Sequence, residues 1–145
     1  MGQKEEYCEV ALSDEHAGIF FSILGYKPNG RCTFGAIENH DALEGSFSYH
    51  LYDTGECGFG DFSICTKSVH ALVRQLKEFL HSQQKEIQIK EELVIHLIKC
   101  HGTLLLDFSI DDQLGEYITV KKQLSYHELY LTILKPLDTI SKRYP

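Results

Sequence analysis

Two histidines and three carboxylates in the first half of the chain have the residue types of acid–base chemistry. They are His40, Asp41, Glu44, His50 and Asp53. Such a set could supply the general acid and the general base of a hydrolase or a nuclease. No H-x-x-x-H, H-E-x-x-H, G-x-S-x-G or D-x-D spacing orients them, however. We therefore predict that the protein is not an enzyme, and keep a small hydrolase using these loops as an alternative.

A second set, formed by His96, Cys100 and His101, has the donor types of a zinc site. The alternative, which we favour, is a solvent-facing histidine followed by ordinary turn residues. Cys100 and His101 do not suit a nucleophile and its base, because adjacent residues of a strand point to opposite faces. The sequence predicts no metal and no other cofactor.

The charge pattern is more informative, because the acidic residues are concentrated in the first half. Residues 1–66 contain 11 Asp and Glu against 3 Lys and Arg, whereas residues 67–145 contain 10 against 11. No Lys or Arg lies between Arg31 and Lys67. An acidic surface attracts basic proteins and repels phosphate backbones, and tyrosines add binding energy at interfaces. We therefore predict a basic protein partner and no nucleic-acid partner. The predicted partner-binding residues are Glu38, Asp41, Glu44, Tyr49, Tyr52, Asp53, Glu56 and Asp61. A merely solvated acidic surface is the alternative.

Aromatic residues are dense in the same half and suggest a second class of function. Stacking on such residues is how many proteins bind single-stranded nucleic acid. Because stacking platforms usually accompany basic grooves, we expect core packing for most of these residues and exposure for Tyr26, Tyr49 and Tyr52. A single-stranded nucleic-acid-binding module remains an alternative. The aromatic residues in question are Phe20, Phe21, Phe34, Phe47, Tyr49, Tyr52, Phe59 and Phe62.

The elements that must position these residues begin with a meander of strands. Apolar runs over residues 7–12 and 18–24, a run over 31–37 after the turn Pro28-Asn29-Gly30, and alternation through Phe47 and Tyr49 predict strands. Phe59, Phe62 and Ile64 populate the next strand. The period then changes, because apolar residues from Val69 to Leu80 recur at helical spacing. This predicts a helix over residues 67–81 with Thr66 or Ser68 as its N-cap.

The second half repeats the order of strands followed by a helix. Alternation over residues 93–97 and 104–110 predicts a hairpin with a tight His101-Gly102 turn, and a further hairpin leads into residues 117–121. Ser125-x-x-Glu128 is a capping box before an apolar helical stripe, and Pro136 should kink or split that helix at Lys135. The predicted fold is α+β, with antiparallel meanders of four or five strands, a helix, three or four strands and a second helix. We predict one domain over residues 1–145.

Composition and cysteine usage bound the remaining possibilities. No apolar stretch approaches the ~18 residues that span a membrane, and the first residues lack the apolar core of a secretory signal. A cytoplasmic protein with no membrane partner is expected. The five cysteines are widely spaced, so we predict free thiols that pack as small hydrophobic groups rather than disulfides. These are Cys8, Cys32, Cys57, Cys65 and Cys100.

The chain also resembles a known class of proteins at the level of pattern. The segment GFGDFSICTKSVHALVRQLKEFL (residues 58–80), the hairpins around GTLLLDFSI and the closing amphipathic helix are similar to immunity proteins of bacterial polymorphic-toxin and contact-dependent growth inhibition systems. Some of those proteins have a Whirly-like fold. The resemblance covers about residues 17–142 and carries over no individual residue. It implies a cytoplasmic protein that binds and neutralises a cognate toxin domain, commonly a nuclease, by blocking its active site or its access to substrate.

Overall fold

The computed structural model describes residues 8–27, 42–90, 93–111 and 116–143. The predicted α+β class and the order of strands, helix, strands and helix are confirmed. Each sheet is an antiparallel meander in chain order, β1-β2-β3-β4 and β5-β6-β7-β8. The elements of the described part are β1 (Cys8–Ser13), β2 (Ala17–Lys27), β3 (Ala42–Leu51), β4 (Cys57–Cys65), α1 (Thr66–His81), β5 (Glu86–Lys90), β6 (Leu93–Cys100), β7 (Thr103–Asp111), β8 (Tyr117–Leu124), α2 (Tyr126–Leu129), a π-helical segment (Tyr130–Leu134) and α3 (Lys135–Arg143).

The two sheets contribute one face each to a common hydrophobic core. Side chains alternate along every strand, so each sheet has an inner face toward the core and an outer face. Phe21 of β2 and Phe108 of β7 are both fully buried, and their rings stack with centroids 5.8 Å apart. Apolar residues of both sheets and of the helices belong to the same buried cluster. The period-two alternation read from the sequence therefore corresponds to one buried and one outer face per sheet.

Helix α1 follows β4 without an intervening loop and buries the predicted apolar stripe, including Leu72, Leu76 and Phe79. The predicted N-cap at Thr66 or Ser68 is wrong. Cys65 occupies the N-cap position and makes no side-chain capping hydrogen bond, because strand β4 runs directly into the helix. At the other end, the Lys99 ammonium donates hydrogen bonds of 2.7 Å to the carbonyl oxygens of Phe79 and Ser82, where the helix dipole favours a cation.

The C-terminal helix begins where the sequence predicts and changes its geometry before Pro136. The Ser125 hydroxyl accepts a hydrogen bond from the Glu128 amide, and the Glu128 carboxylate accepts one from the Ser125 amide, which confirms the capping box. Pro136 has no amide hydrogen and crowds the preceding turn. The helix widens to π geometry just before it, over Tyr130–Leu134, and continues as α3 from Lys135, so the predicted split at Lys135 is replaced by a π-helical turn within a continuous helix.

Two features of the described chain were not predicted. Strand β5 is short, lies at an edge of its sheet and pairs with β6. Cys65 is disulfide-bonded, so the prediction of free thiols is wrong for this residue, whereas Cys8, Cys57 and Cys100 are free. Cys32 lies outside the described residues, as do the predicted turn at residues 28–30 and the predicted strand at residues 31–37. Across the described ranges, we find no helix with the length and apolar character needed to cross a membrane.

Candidate functional site

An open groove of about 560 Å³ lies on the outer face of the first sheet, toward the end where β3 turns into β4. Among the described residues that line it there is no carboxylate, lysine or arginine. Small side chains form much of its floor, and aromatic side chains rise from it. The lining residues are Ala11, Leu12, Ser13, Gly18, Ile19, Phe20, Ser48, Tyr49, His50, Tyr52, Cys57, Gly58 and Phe59.

Three aromatic side chains of the groove are exposed to an unusual degree. Phe59 is 89% exposed, Tyr52 48% and Phe20 38%. In the antiparallel register, Ser48 of β3 is paired with Phe20 on one side and with Phe59 on the other. The two phenylalanines are therefore two strand spacings apart, about 10 Å, with a small side chain between them. This arrangement leaves space above Ser48 for a flat group between two aromatic side chains.

Two glycines make room for the tyrosines of β3 and of the turn that follows it. A Cβ at Gly18 would lie 2.5 Å from the Tyr52 hydroxyl oxygen, so a larger residue at this position would displace the tyrosine from its place across β2. A Cβ at Gly58 would lie 2.6 Å from the Tyr49 ring in the same way. Tyr49 is half-buried and packs against the core. The prediction that Tyr49 is exposed is therefore wrong, whereas Tyr52 is exposed as predicted.

The turn that carries Tyr52 is held by hydrogen bonds to the turn between β1 and β2. The Tyr52 amide donates to the His16 carbonyl oxygen at 2.8 Å, and His16 Nδ1 lies 2.8 Å from Asp53 Oδ2. The hydrogen bond and negative charge of Asp53 raise the pKa of His16. The His50 ring lies 5.2 Å from the Tyr52 ring. One end of the groove is thus positioned by contacts between two turns.

Asp14 connects the same turn to the second sheet. Its carboxylate accepts hydrogen bonds from the amides of His16, Ala17 and Lys121, at 2.7, 2.9 and 2.8 Å. Partial burial acts to raise the pKa of Asp14, but these three amide donors outweigh it and the pKa is lowered. Because Lys121 belongs to β8, a single carboxylate orients the end of the groove relative to the other sheet.

The structure divides the predicted partner-binding carboxylates between two places. Glu44 and Asp61 lie on the outer face of the first sheet, on the adjacent strands β3 and β4. Asp53 and Glu56 lie in the turn at the far end of β3, about 20 Å or more from Glu44 along the strand. Asp53 is paired with His16. The remaining two predicted carboxylates, Glu38 and Asp41, lie outside the described residues. The binding role of these residues stays a prediction.

Neither set of residues considered for catalysis or metal binding forms a cluster within the part of the chain that the structure describes. His40 and Asp41 lie outside the described residues. His96 Nε2 lies 2.5 Å from Glu86 Oε2, and its Nδ1 lies 3.7 Å from Asp107 Oδ2, on the outer face of the second sheet. Cys100 is four residues further along β6, about 13 Å away. No cluster of His, Cys, Asp or Glu suited to a metal ion occurs among the residues with described positions.

Comparison with known proteins gives a likeness in structure only. No family profile matches the sequence, and no curated protein is similar to it. The fold is similar to the crystal structure of WHY1 from Arabidopsis thaliana, with a TM-score of 0.49 and 7% identity over 96% of this chain and 91% of that chain. It is also similar to WHY3 from Arabidopsis thaliana, with a TM-score of 0.46 and 8% identity over 96% and 89%. These Whirly proteins are consistent with the predicted Whirly-like fold, and no finding indicates an immunity protein.

The prediction that the protein has no nucleic-acid partner is wrong in its physical basis. That prediction assumed that aromatic and acidic residues of the first half share one surface. The described groove instead gathers exposed aromatic side chains without carboxylates, while Glu44 and Asp61 lie further along the sheet. Total charge therefore says little about the potential inside the groove.

Proposed function

We propose that the protein binds single-stranded nucleic acid in the groove on the outer face of the first sheet. The exposure of Phe59, Phe20 and Tyr52 in one open groove carries this proposal. An exposed aromatic ring leaves apolar surface in contact with water. A flat ligand that covers the ring removes this surface from water, which favours binding. Every nucleobase offers such a flat surface, so stacking binds single strands with little sequence preference.

The groove favours single strands over duplexes for two reasons. Bases within a duplex are already stacked on one another, so their flat surfaces are not available to Phe59 or Tyr52. In addition, duplex binding depends largely on neutralising phosphates, and the described residues that line the groove include no lysine or arginine. We propose a binding function and not a catalytic one, in which stacking supplies most of the energy.

A basic protein domain is the second candidate ligand, as the sequence resemblance to immunity proteins implies. The observation that favours it is the position of Glu44 and Asp61, which extend the outer face beyond the aromatic residues. Aromatic side chains beside acidic ones are common at the interfaces of proteins with basic partners. In this case the toxin domain would contact both the groove and these two carboxylates.

Fluorescence anisotropy with labelled oligonucleotides tests the first candidate. We expect the protein to bind single-stranded DNA or RNA more tightly than the matching duplex. Replacing Phe59 by Ala should weaken single-strand binding by roughly 5- to 150-fold, because stacking on one aromatic residue contributes about 1–3 kcal/mol. Tyr117→Ala is the matched control, since Tyr117 is 58% exposed but lies on β8 of the second sheet.

Two outcomes would reject nucleic-acid binding through the groove. One is the absence of any affinity for single strands at low ionic strength. The other is an equal loss of affinity in Phe59→Ala and Tyr117→Ala, which would indicate non-specific adsorption. If single strands do not bind and charge reversal at Glu44 and Asp61 abolishes binding of a co-expressed basic toxin domain, the second candidate replaces the first.

A further inference from the structure

A second concave site lies at the open edge of β1, where helix α3 packs against this strand. This cleft has a volume of about 250 Å³. Lys135, Thr139 and Arg143 line it from the helix, and Cys8 and Glu9 line it from the strand. Burial, aided by the charge of Glu9, raises the pKa of the Cys8 thiol to about 12, so this thiol adds no charge to the cleft. Among the described residues that line the cleft, two are cationic and one is a carboxylate.

The spacing of the three helical residues places them in one row. Lys135, Thr139 and Arg143 follow one another at intervals of four, so they lie on the same side of α3. The two cationic residues are separated by about 12 Å along the helix axis. Within the described ranges Lys135 takes part in no ion pair. By contrast, Lys142 on the same helix lies 3.3 Å from Asp138 and is directed elsewhere.

The cleft is adjacent to the aromatic groove, because both include residues of the outer side of β1. Ala11 lines the groove, and Glu9 lines the cleft two residues earlier on the same strand. Residues at this spacing are about 7 Å apart, roughly one nucleotide step of an extended single strand. A strand that leaves the groove across the edge of β1 would therefore reach the row on α3. The cleft has cationic side chains, and the described residues that line the groove include none.

We propose that the cleft between β1 and α3 binds backbone phosphates of the single strand whose bases stack in the groove, with Lys135 and Arg143 as the phosphate-binding residues. This inference rests on the proposed function. It assigns the binding of bases to the groove and the binding of phosphates to the cleft. The groove contributes stacking, which depends little on salt. The cleft contributes the electrostatic attraction, which weakens as salt rises. Glu9 opposes phosphate binding because it places a negative charge in the same cleft.

Salt titrations of oligonucleotide binding test the proposal with a double variant, Lys135→Gln with Arg143→Gln. We expect a two- to fivefold loss of affinity per residue at low salt. The slope of log affinity against log salt should become shallower by about 0.7 for each phosphate contact removed. Glu9→Gln should raise the affinity. Lys90→Gln, on β5 of the second sheet, removes the same charge away from both sites and should change the slope least.

The results separate failure of the cleft from failure of the proposed function. If Phe59→Ala weakens binding while the double variant keeps the affinity and the salt slope of the wild type, the cleft proposal is overturned and the groove stands. Inorganic phosphate is the second probe, with the amide signal of Thr139 as readout. If phosphate shifts this signal but no single strand binds the wild type, the cleft holds free phosphate only, and both proposals concerning nucleic acid are overturned. If phosphate competes with the oligonucleotide for the wild type but not for the double variant, the result supports phosphate binding in the cleft.

Discussion

Replacement of Asp14 tests whether one carboxylate holds the groove in place. Its three amide donors come from its own turn and from Lys121 of β8. Hydrogen bonds to a charged group contribute about 1.5–3 kcal/mol each when well shielded, and less where solvent reaches them. Asp14 is only partly buried. We therefore assign about 1.5 kcal/mol to the hydrogen bond from the Lys121 amide, and a smaller free energy to each of those from the His16 and Ala17 amides. Asp14→Ala should therefore lower the free energy of unfolding by about 2–3 kcal/mol.

Asp14→Asn removes the charge and one of the two acceptor oxygens, because its single amide oxygen can accept either from the His16 and Ala17 amides or from the Lys121 amide. We expect it to lose about 1 kcal/mol at neutral pH. The pKa of Asp14 is lowered in the folded protein, so the charged form stabilises the fold above the unfolded-state pKa, about 3.9. That contribution is lost as the pH falls through the folded-state pKa. The difference between wild type and Asp14→Asn should consequently shrink toward zero at low pH.

Urea unfolding followed by far-UV circular dichroism, from pH 7 down to pH 3, measures these differences. Glu15→Gln provides the control, because it removes a neighbouring charge from the same exposed turn. Amide exchange at Lys121 gives a local readout and should accelerate in both Asp14 variants. A wild-type stability for Asp14→Asn at neutral pH, or a deficit that stays constant down to pH 3, would refute the charge-assisted contacts.

Two further predictions concern other local contacts. Ser125→Ala should lower the free energy of unfolding by about 1 kcal/mol, because the Glu128 amide loses its capping acceptor; Thr at this position should restore most of it in the same urea experiment. Asp53→Asn should lower the pKa of His16 toward its ordinary value, as followed by NMR titration of the imidazole ring. Since the folded pKa of His16 is raised, its pairing with Asp53 stabilises the fold below the unfolded-state pKa, and this effect disappears as the pH rises through the folded value. An unchanged titration midpoint in Asp53→Asn would contradict the pairing.

Local elements could be predicted wherever a short-range rule acts alone. The capping box at Ser125, the change in helix geometry before Pro136 and the tight turn at His101-Gly102 follow from neighbouring residues, and His101 and Gly102 do adopt positive φ angles of 50° and 83°. Strand β5 was missed because it is five residues long and ends in exposed charged residues. The N-cap of α1 was missed because Thr66 has a capping side chain but lies inside the first turn.

The candidate site could be predicted only in part, since its residues come together through strand register. Tyr52 was expected to be exposed and is, but Tyr49 packs inward over Gly58. Phe59 was expected in the core and is almost fully exposed. The clue in the sequence was glycine, because the Tyr52 and Tyr49 side chains lie over Gly18 and Gly58. Lys135 and Arg143 were overlooked, as their relation to β1 depends on how α3 packs.

The sequence by itself determined the class of fold, the order of strands and helices, and which positions alternate between two faces. These depend on periodicity and on contacts between residues close in the chain. Only the tertiary structure decided which face of each strand met the core. Phe21 and Phe59 are both phenylalanines in strands, yet one stacks on Phe108 inside and the other stands in solvent. The reason is that packing of one sheet on the other and on the helices selects the buried face, and this selection involves residues distant in sequence.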